Sequence, residues 1–173
     1  MITKQTPLKK VLKMAAPCRC SACSHGCRYG SGFLAEGDDK SIAKFLKVSE
    51  EELKRDFLEE KEMFNKKMLR PKLLKEAGKA YGQCVFYSGD KGCTIHKVKP
   101  LECRTSISCK DYGEDLSVWF TLNHMIDAND PESIRQYSQY VKSKGRLIRG
   151  ALLEDIVPDK EKLKKILSYE LLK

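Results

Sequence analysis

The sequence predicts a mainly α fold with a small β-hairpin and cysteine-rich metal-binding loops. Three observations predict it: amphipathic segments with helix-start signals, one run of β-formers broken by a glycine turn, and eight cysteines confined to two aperiodic stretches. The chain is read as a basic N-terminal arm (1–17), a cysteine-cluster metal-chelating domain (18–125) and a C-terminal helical extension (126–173) packed on the same domain.

The first helical region begins at Asp38 or Asp39, either of which can cap a short helix carrying Ile42, Phe45 and Leu46. Ser49 and Glu52 then form a capping box. Behind it Leu53, Phe57, Leu58, Met63 and Phe64 continue an apolar face, predicting one helix that ends before Pro71. The run YGQCVFY-SGDKG-CTIH predicts a β-hairpin. A symmetric loop there sets Tyr87 opposite Cys93 and Cys84 opposite His96, a pairing that a one-residue slip would change. Pro100, Cys103 and Cys109 fall in an expected loop. Helix resumes from Leu116 through SVWFTLNHM and again after Asp130-Pro131, a cap followed by proline at the first helical position. Ile134, Tyr137, Tyr140 and Val141 share one face of that helix. A last helix near Pro158 carries Leu163, Ile166, Leu167 and Leu171.

Composition narrows the function. The 173 residues suffice for one well-cored domain. The longest apolar pieces, VLKMAA and SVWFTL, fall far short of the ~20 residues of a membrane span. The N-terminus, MITKQTPLKKVLKMAAP, is basic but lacks the apolar core of a secretory signal, so a cytoplasmic location is expected and no membrane partner. In that compartment thiols stay reduced, and grouped cysteines point to metal before disulfides. The formal net charge is +9. Two four-thiolate centres of about −2 each would lower it to about +5, so a nucleic-acid partner is not favoured. The five basic residues from Lys66 to Lys75 are read as a solvated face.

The cysteines carry the chemistry. Cys18, Cys20, Cys23 and Cys27 form a C-x-C-x2-C-x3-C run, and Cys84, Cys93, Cys103 and Cys109 a looser second group. Four thiols within ten positions, flanked by Arg19, Ser21, Ser24, His25, Gly26 and Arg28, do not look like core packing. All eight are candidate ligands. Closely spaced loop cysteines can converge on a soft metal at low entropic cost, and the two groups are expected to approach in space. Only Cys20–Cys23 makes a C-x2-C zinc knuckle, with Cys93–His96 as a mixed candidate. The dense first loop with a distant fourth thiolate equally suits an iron–sulfur cluster. The cofactor is thus an iron–sulfur cluster or zinc, with iron–sulfur slightly preferred.

CSACSHGCRYGSG, QCVFY and GCTIHKVKPLECR together resemble the YkgJ-type cysteine-cluster family, whose CxxCxxCC domain is described as zinc- or iron-chelating. The matching residues are Cys20, Cys23, Cys27, Cys84, Cys93, Pro100, Cys103 and Arg104. Two positions depart from the pattern. The family's adjacent cysteine pair is here the single Cys27, and Lys99 replaces the usual arginine before proline. Cys18 and Cys109 are available to supply the ligand that the missing cysteine would provide. The family accepts tyrosine or histidine where His96 stands, which weakens a ligand role for it. The function expected is metal binding with a structural or redox role, served by a protein or redox partner. The resemblance implies one alternative, a metal-dependent enzyme acting in protein lysine N-methylation like the flagellin-modifying relatives. No catalytic residue is assigned.

Overall fold

The computed structural model describes every residue from Met1 to Lys173. In chain order the elements are α1 (Leu8–Met14), α2 (Ser21–His25), α3 (Asp38–Leu46), α4 (Glu50–Phe57), β1 (Leu58–Met63) and β2 (Lys66–Pro71). Four two-residue strands follow: β3 (Leu73–Leu74), β4 (Gln83–Cys84), β5 (Tyr87–Ser88) and β6 (Gly92–Cys93). The chain closes with α5 (Leu101–Thr105), α6 (Gly113–Phe120), α7 (Pro131–Lys142), α8 (Leu153–Ile156) and α9 (Lys160–Leu167). The small α+β architecture expected from the sequence is the one observed. No helix is long and apolar enough to cross a membrane.

Apolar side chains gather into two cores. The larger joins α1, α6, α7 and α9 through Val11, Leu116, Phe120, Ile134, Tyr137 and Ile166, all fully buried. Asp130 caps α7 by accepting from the Glu132 amide, with Pro131 at its first position, as the sequence predicts. The basic lead-in is a packed edge: Val11 and Ala15 are buried, and the Trp119 indole donates to the Thr6 carbonyl at 2.9 Å. The smaller core sets Ile42 of α3 and Leu53 of α4 against Leu58, Phe86 and Ile95. Ser49 and Glu52 make the expected capping box on α4.

The long helix expected up to Pro71 is not formed. After Phe57 the chain turns into an antiparallel hairpin, β1 against β2, with Leu58 opposite Pro71 and Met63 opposite Lys66. Phe64 and Asn65 form the two-residue turn, both at positive φ (50° and 61°). Two such residues in succession match the twist of a hairpin and are incompatible with helix. Cross-strand charge supports the pairing. Arg70 meets Glu59 at 2.7 Å and Lys67 meets Glu60 at 3.2 Å, while Lys66 and Lys72 donate to the carbonyls of His124 and Arg55. Four of the five basic residues thus have partners inside the fold.

The second hairpin is shorter than expected. Tyr87 does face Cys93, but Cys84 pairs with Leu73 and not with His96, which lies in a 3-10 turn (His96–Val98). The strands last two residues because Cys84 is drawn back toward the segment after β2. Cys103, expected in a loop, sits on α5.

One carboxylate fastens the two cysteine-bearing regions. Asp38 Oδ2 accepts from the Ala35 amide and the Leu101 amide, each at 2.8 Å. An Asp38→Ala variant leaves both amides without this acceptor at the start of α5. It is expected to lose about 1.5–3 kcal/mol in urea unfolding, the range for hydrogen bonds to a charged group. A loss below about 0.5 kcal/mol would show that the two segments are held by packing alone.

Candidate metal centre

The structure brings the two cysteine groups together but exchanges a member between them. Cys18, Cys20, Cys23 and Cys109 place their sulfurs within 4.8 Å of one another. Cys109 Sγ lies 3.4 Å from Cys23 Sγ and 3.7 Å from Cys18 Sγ. Four sulfurs bound at ~2.3 Å to one tetrahedral ion stand about 3.8 Å apart, so this set already has single-ion dimensions. Cys27, the last cysteine of the first loop, faces the other way. With Cys84, Cys93 and Cys103 it lines a cavity of about 240 Å³, which Cys23 borders from the first set.

Local structure explains the exchange. Cys20 sits immediately before α2 and Cys23 lies within it, followed by a 3-10 turn (Gly26–Arg28) that carries Cys27. A continuous α-helix would keep Cys20, Cys23 and Cys27 on one face, but the path tightens to a 3-10 turn at Gly26, and Cys27 leaves the face that Cys20 and Cys23 share. Cys109 arrives from the turn between α5 and α6. On the opposite side Cys84 packs in the smaller core, with Cys27 and Cys93 against it.

Backbone amides hold several sulfurs. The Cys20 amide approaches Cys18 Sγ at 3.5 Å, and the Gly32 amide donates to Cys103 Sγ at 3.3 Å. The amides of Phe86 and Ile95 face the sulfurs of Cys84 and Cys93. Amide donors favour the thiolate, the form that binds metal.

The two sets differ electrostatically. In the first, the Cys23 amide and the neighbouring Cys18 thiol lower Cys20 to about 7, while Cys109, facing the sulfurs of Cys23 and Cys20, rises to about 12. One thiolate forms readily there and the next resists until a cation arrives. In the second, burial dominates: it raises Cys27 and Cys93, pushes Cys84 up to about 12, and raises Cys103 further. The Lys99 ammonium opposes this rise at Cys27, Cys84 and Cys93.

His96 is not among the converging ligands. Its Nε2 lies 3.2 Å from the Cys18 carbonyl. A carbonyl only accepts, so Nε2 carries the proton in this contact and cannot offer a lone pair to a metal. The ring instead ties Cys18 to the turn after Cys93.

Sequence reasoning did not identify Gly32. A Cβ there would stand 2.7 Å from both the amide nitrogen and the sulfur of Cys103. Gly32→Ala is expected to push Cys103 off its position and lower metal retention by the second set, with the first set unaffected. Metal analysis of the purified variant checks this; an unchanged metal content would show that the contact relaxes freely.

Residues 19–138 match the model of the CxxCxxCC family, described as "Putative zinc- or iron-chelating domain". Comparison with curated proteins and with solved structures finds no match.

Proposed function

We propose that this chain, which belongs to the CxxCxxCC family of zinc- or iron-chelating domains, holds a single zinc or iron ion at Cys18, Cys20, Cys23 and Cys109 as a structural clamp. The observation that carries the reading is the convergence of four sulfurs within 4.8 Å from segments 86 and 91 residues apart. Closed tetrahedral four-cysteine sites serve structure, because no position is left for a substrate or water. Here the ion would join the first cysteine loop to the turn that enters α6, in the larger core.

The donor set fits such an ion in kind as well as number, since soft thiolates select zinc and iron over hard cations. Cys20 and Cys109 are exposed, so the ion sits near the surface and within reach of chelators. A second, redox role is favoured by a separate observation, the four cysteines around the neighbouring cavity.

Elemental analysis of anaerobically purified protein tests the clamp. Wild type is expected to carry one ion more per chain than Cys18→Ala or Cys109→Ala, with helical content kept. Wild type without zinc or iron, or both variants with the full complement, would overturn the reading.

A further inference from the structure

We propose that Cys27, Cys84, Cys93 and Cys103 hold a four-iron iron–sulfur cluster in the cavity they share, with Lys99 as its fixed counter-charge. The proposal rests on the metal-chelating reading above and goes beyond it in assigning a second centre of a different kind.

Size is the first argument. A cavity of about 10–15 Å³ holds one water. These cysteines line part of a half-open cavity of about 240 Å³, which has room for a group larger than one ion. Spacing is the second. The structure brings three or more thiols within 4.8 Å of one another at the first set and not at this one. A single ion needs all its sulfurs that close, whereas a four-iron cluster takes one cysteine per iron and holds them further apart.

Charge is the third argument and is independent of the cysteine count. Lys99 is only 8% exposed and lines this cavity. None of the ion pairs in the structure involves it. Its ammonium favours the thiolate forms of Cys27, Cys84 and Cys93, and four neutral thiols would offer it no opposite charge. A cluster with four thiolates carries about −2 in its oxidised form, which answers the lysine directly. The amide of Gly32 on Cys103 adds the kind of hydrogen bond to sulfur that tunes such clusters. On reduction, one electron from an external one-electron carrier takes the centre from about −2 to about −3, with no bond made or broken and no proton required. Lys99 favours the more negative state.

Iron and acid-labile sulfide, measured on anaerobically prepared or anaerobically reconstituted full-length protein, provide the test. About four sulfides per chain are expected in wild type and in Cys109→Ala, with loss of sulfide in Cys84→Ala and Cys93→Ala. Lys99→Met should keep the sulfide and shift the reduction potential to more negative values, and Lys99→Arg should restore it. Circular dichroism separates cluster loss from unfolding, and Cys27→Ala, which should lose sulfide as well, provides a ligand variant at a half-buried position, less disruptive to the core than the buried Cys84. Protein with one thiolate-bound ion and no labile sulfide would overturn the cluster while leaving the clamp intact. Two sulfides per chain would overturn the four-iron form. Sulfide lost in Cys109→Ala but kept in Cys84→Ala and Cys93→Ala would overturn the assignment of ligands. An unshifted potential in Lys99→Met would remove Lys99 from the proposal.

Discussion

Metal removal under anaerobic, reducing conditions is expected to release residues 18–32 and to leave the helices of the larger core in place. No side chain from Cys18 to Gly32 is buried. The stretch contains α2, five residues long, and a three-residue 3-10 turn, neither with a side-chain cap. Helices that short do not hold themselves in water, so their order has to come from outside. Beside a few hydrogen bonds, such as Ser31 to the Pro71 carbonyl at 2.6 Å and Arg28 to the Tyr87 hydroxyl at 3.3 Å, sulfur ligation would be the strongest anchor. The helices differ in kind. Each fully buried side chain such as Phe120, Ile134 or Ile166 contributes about 1.5–3 kcal/mol, independent of metal. Amide hydrogen exchange should therefore show protection falling by about 100-fold or more in 18–32, toward that of a frayed segment, with α6 and α7 nearly unchanged. The second cysteine region should respond less. Ile95, Leu101, Thr105 and Ile107 are buried there and anchor the chain between Cys93 and Cys109. Equal loss of protection in 18–32 and 95–107 would mean that these anchors are weaker than their burial implies. Unchanged protection in 18–32 would refute ligation as the source of order.

The same contrast shows what could be read from the sequence and what could not. Helix starts were legible at Ser49 and Asp130 because a cap is a local event, decided by a side chain and an amide two or three residues away. The pairing of Tyr87 with Cys93 was legible because the turn between them is short. The hairpin of β1 and β2 was not. Its sequence, LEEKEMFNKKMLRP, is rich in helix-formers, and its turn has no glycine, so nothing local announces it. What decides it is pairing across the turn, including Glu59 with Arg70 and Glu60 with Lys67, and local propensity yields to it. The division of the cysteines was hidden for a similar reason. Nearness in sequence groups Cys27 with Cys23, yet α2 gives way to a 3-10 turn before Cys27, which lines the other cavity, and Cys109 takes its place from 86 residues beyond Cys23. Glycines at close contacts are less legible still, because the atom that forbids a Cβ lies on another segment.

Gly113 is the position where such a contact should matter most. It is buried at the start of α6, and a Cβ built there would stand 1.7 Å from the carbonyl oxygen of Ile107 and 2.8 Å from its carbon. Both are backbone atoms, so no rotamer change relieves the overlap. Helix α6 cannot retreat, since Leu116 and Phe120 are fully buried three and seven residues on. The segment 107–112 must move instead, and it carries Cys109, whose sulfur lies 3.4 Å from Cys23 and 3.7 Å from Cys18. Gly113→Ala is therefore expected to cost about 1–3 kcal/mol of stability or more, as overpacking does. It should weaken zinc or iron binding at the first set by about tenfold to a hundredfold, with every cysteine still present. Cys103 lies on α5 between the buried Leu101 and Thr105, so the second set should keep its metal. Gly26→Ala is the control. It lies inside the cysteine loop, but a Cβ there meets nothing within 4 Å, and binding should be unchanged. Competition titrations with a zinc chelator distinguish the two variants. Equal affinity in both would show that the Ile107 turn yields without carrying Cys109 along, and the first centre would then owe its geometry to the metal more than to the fold.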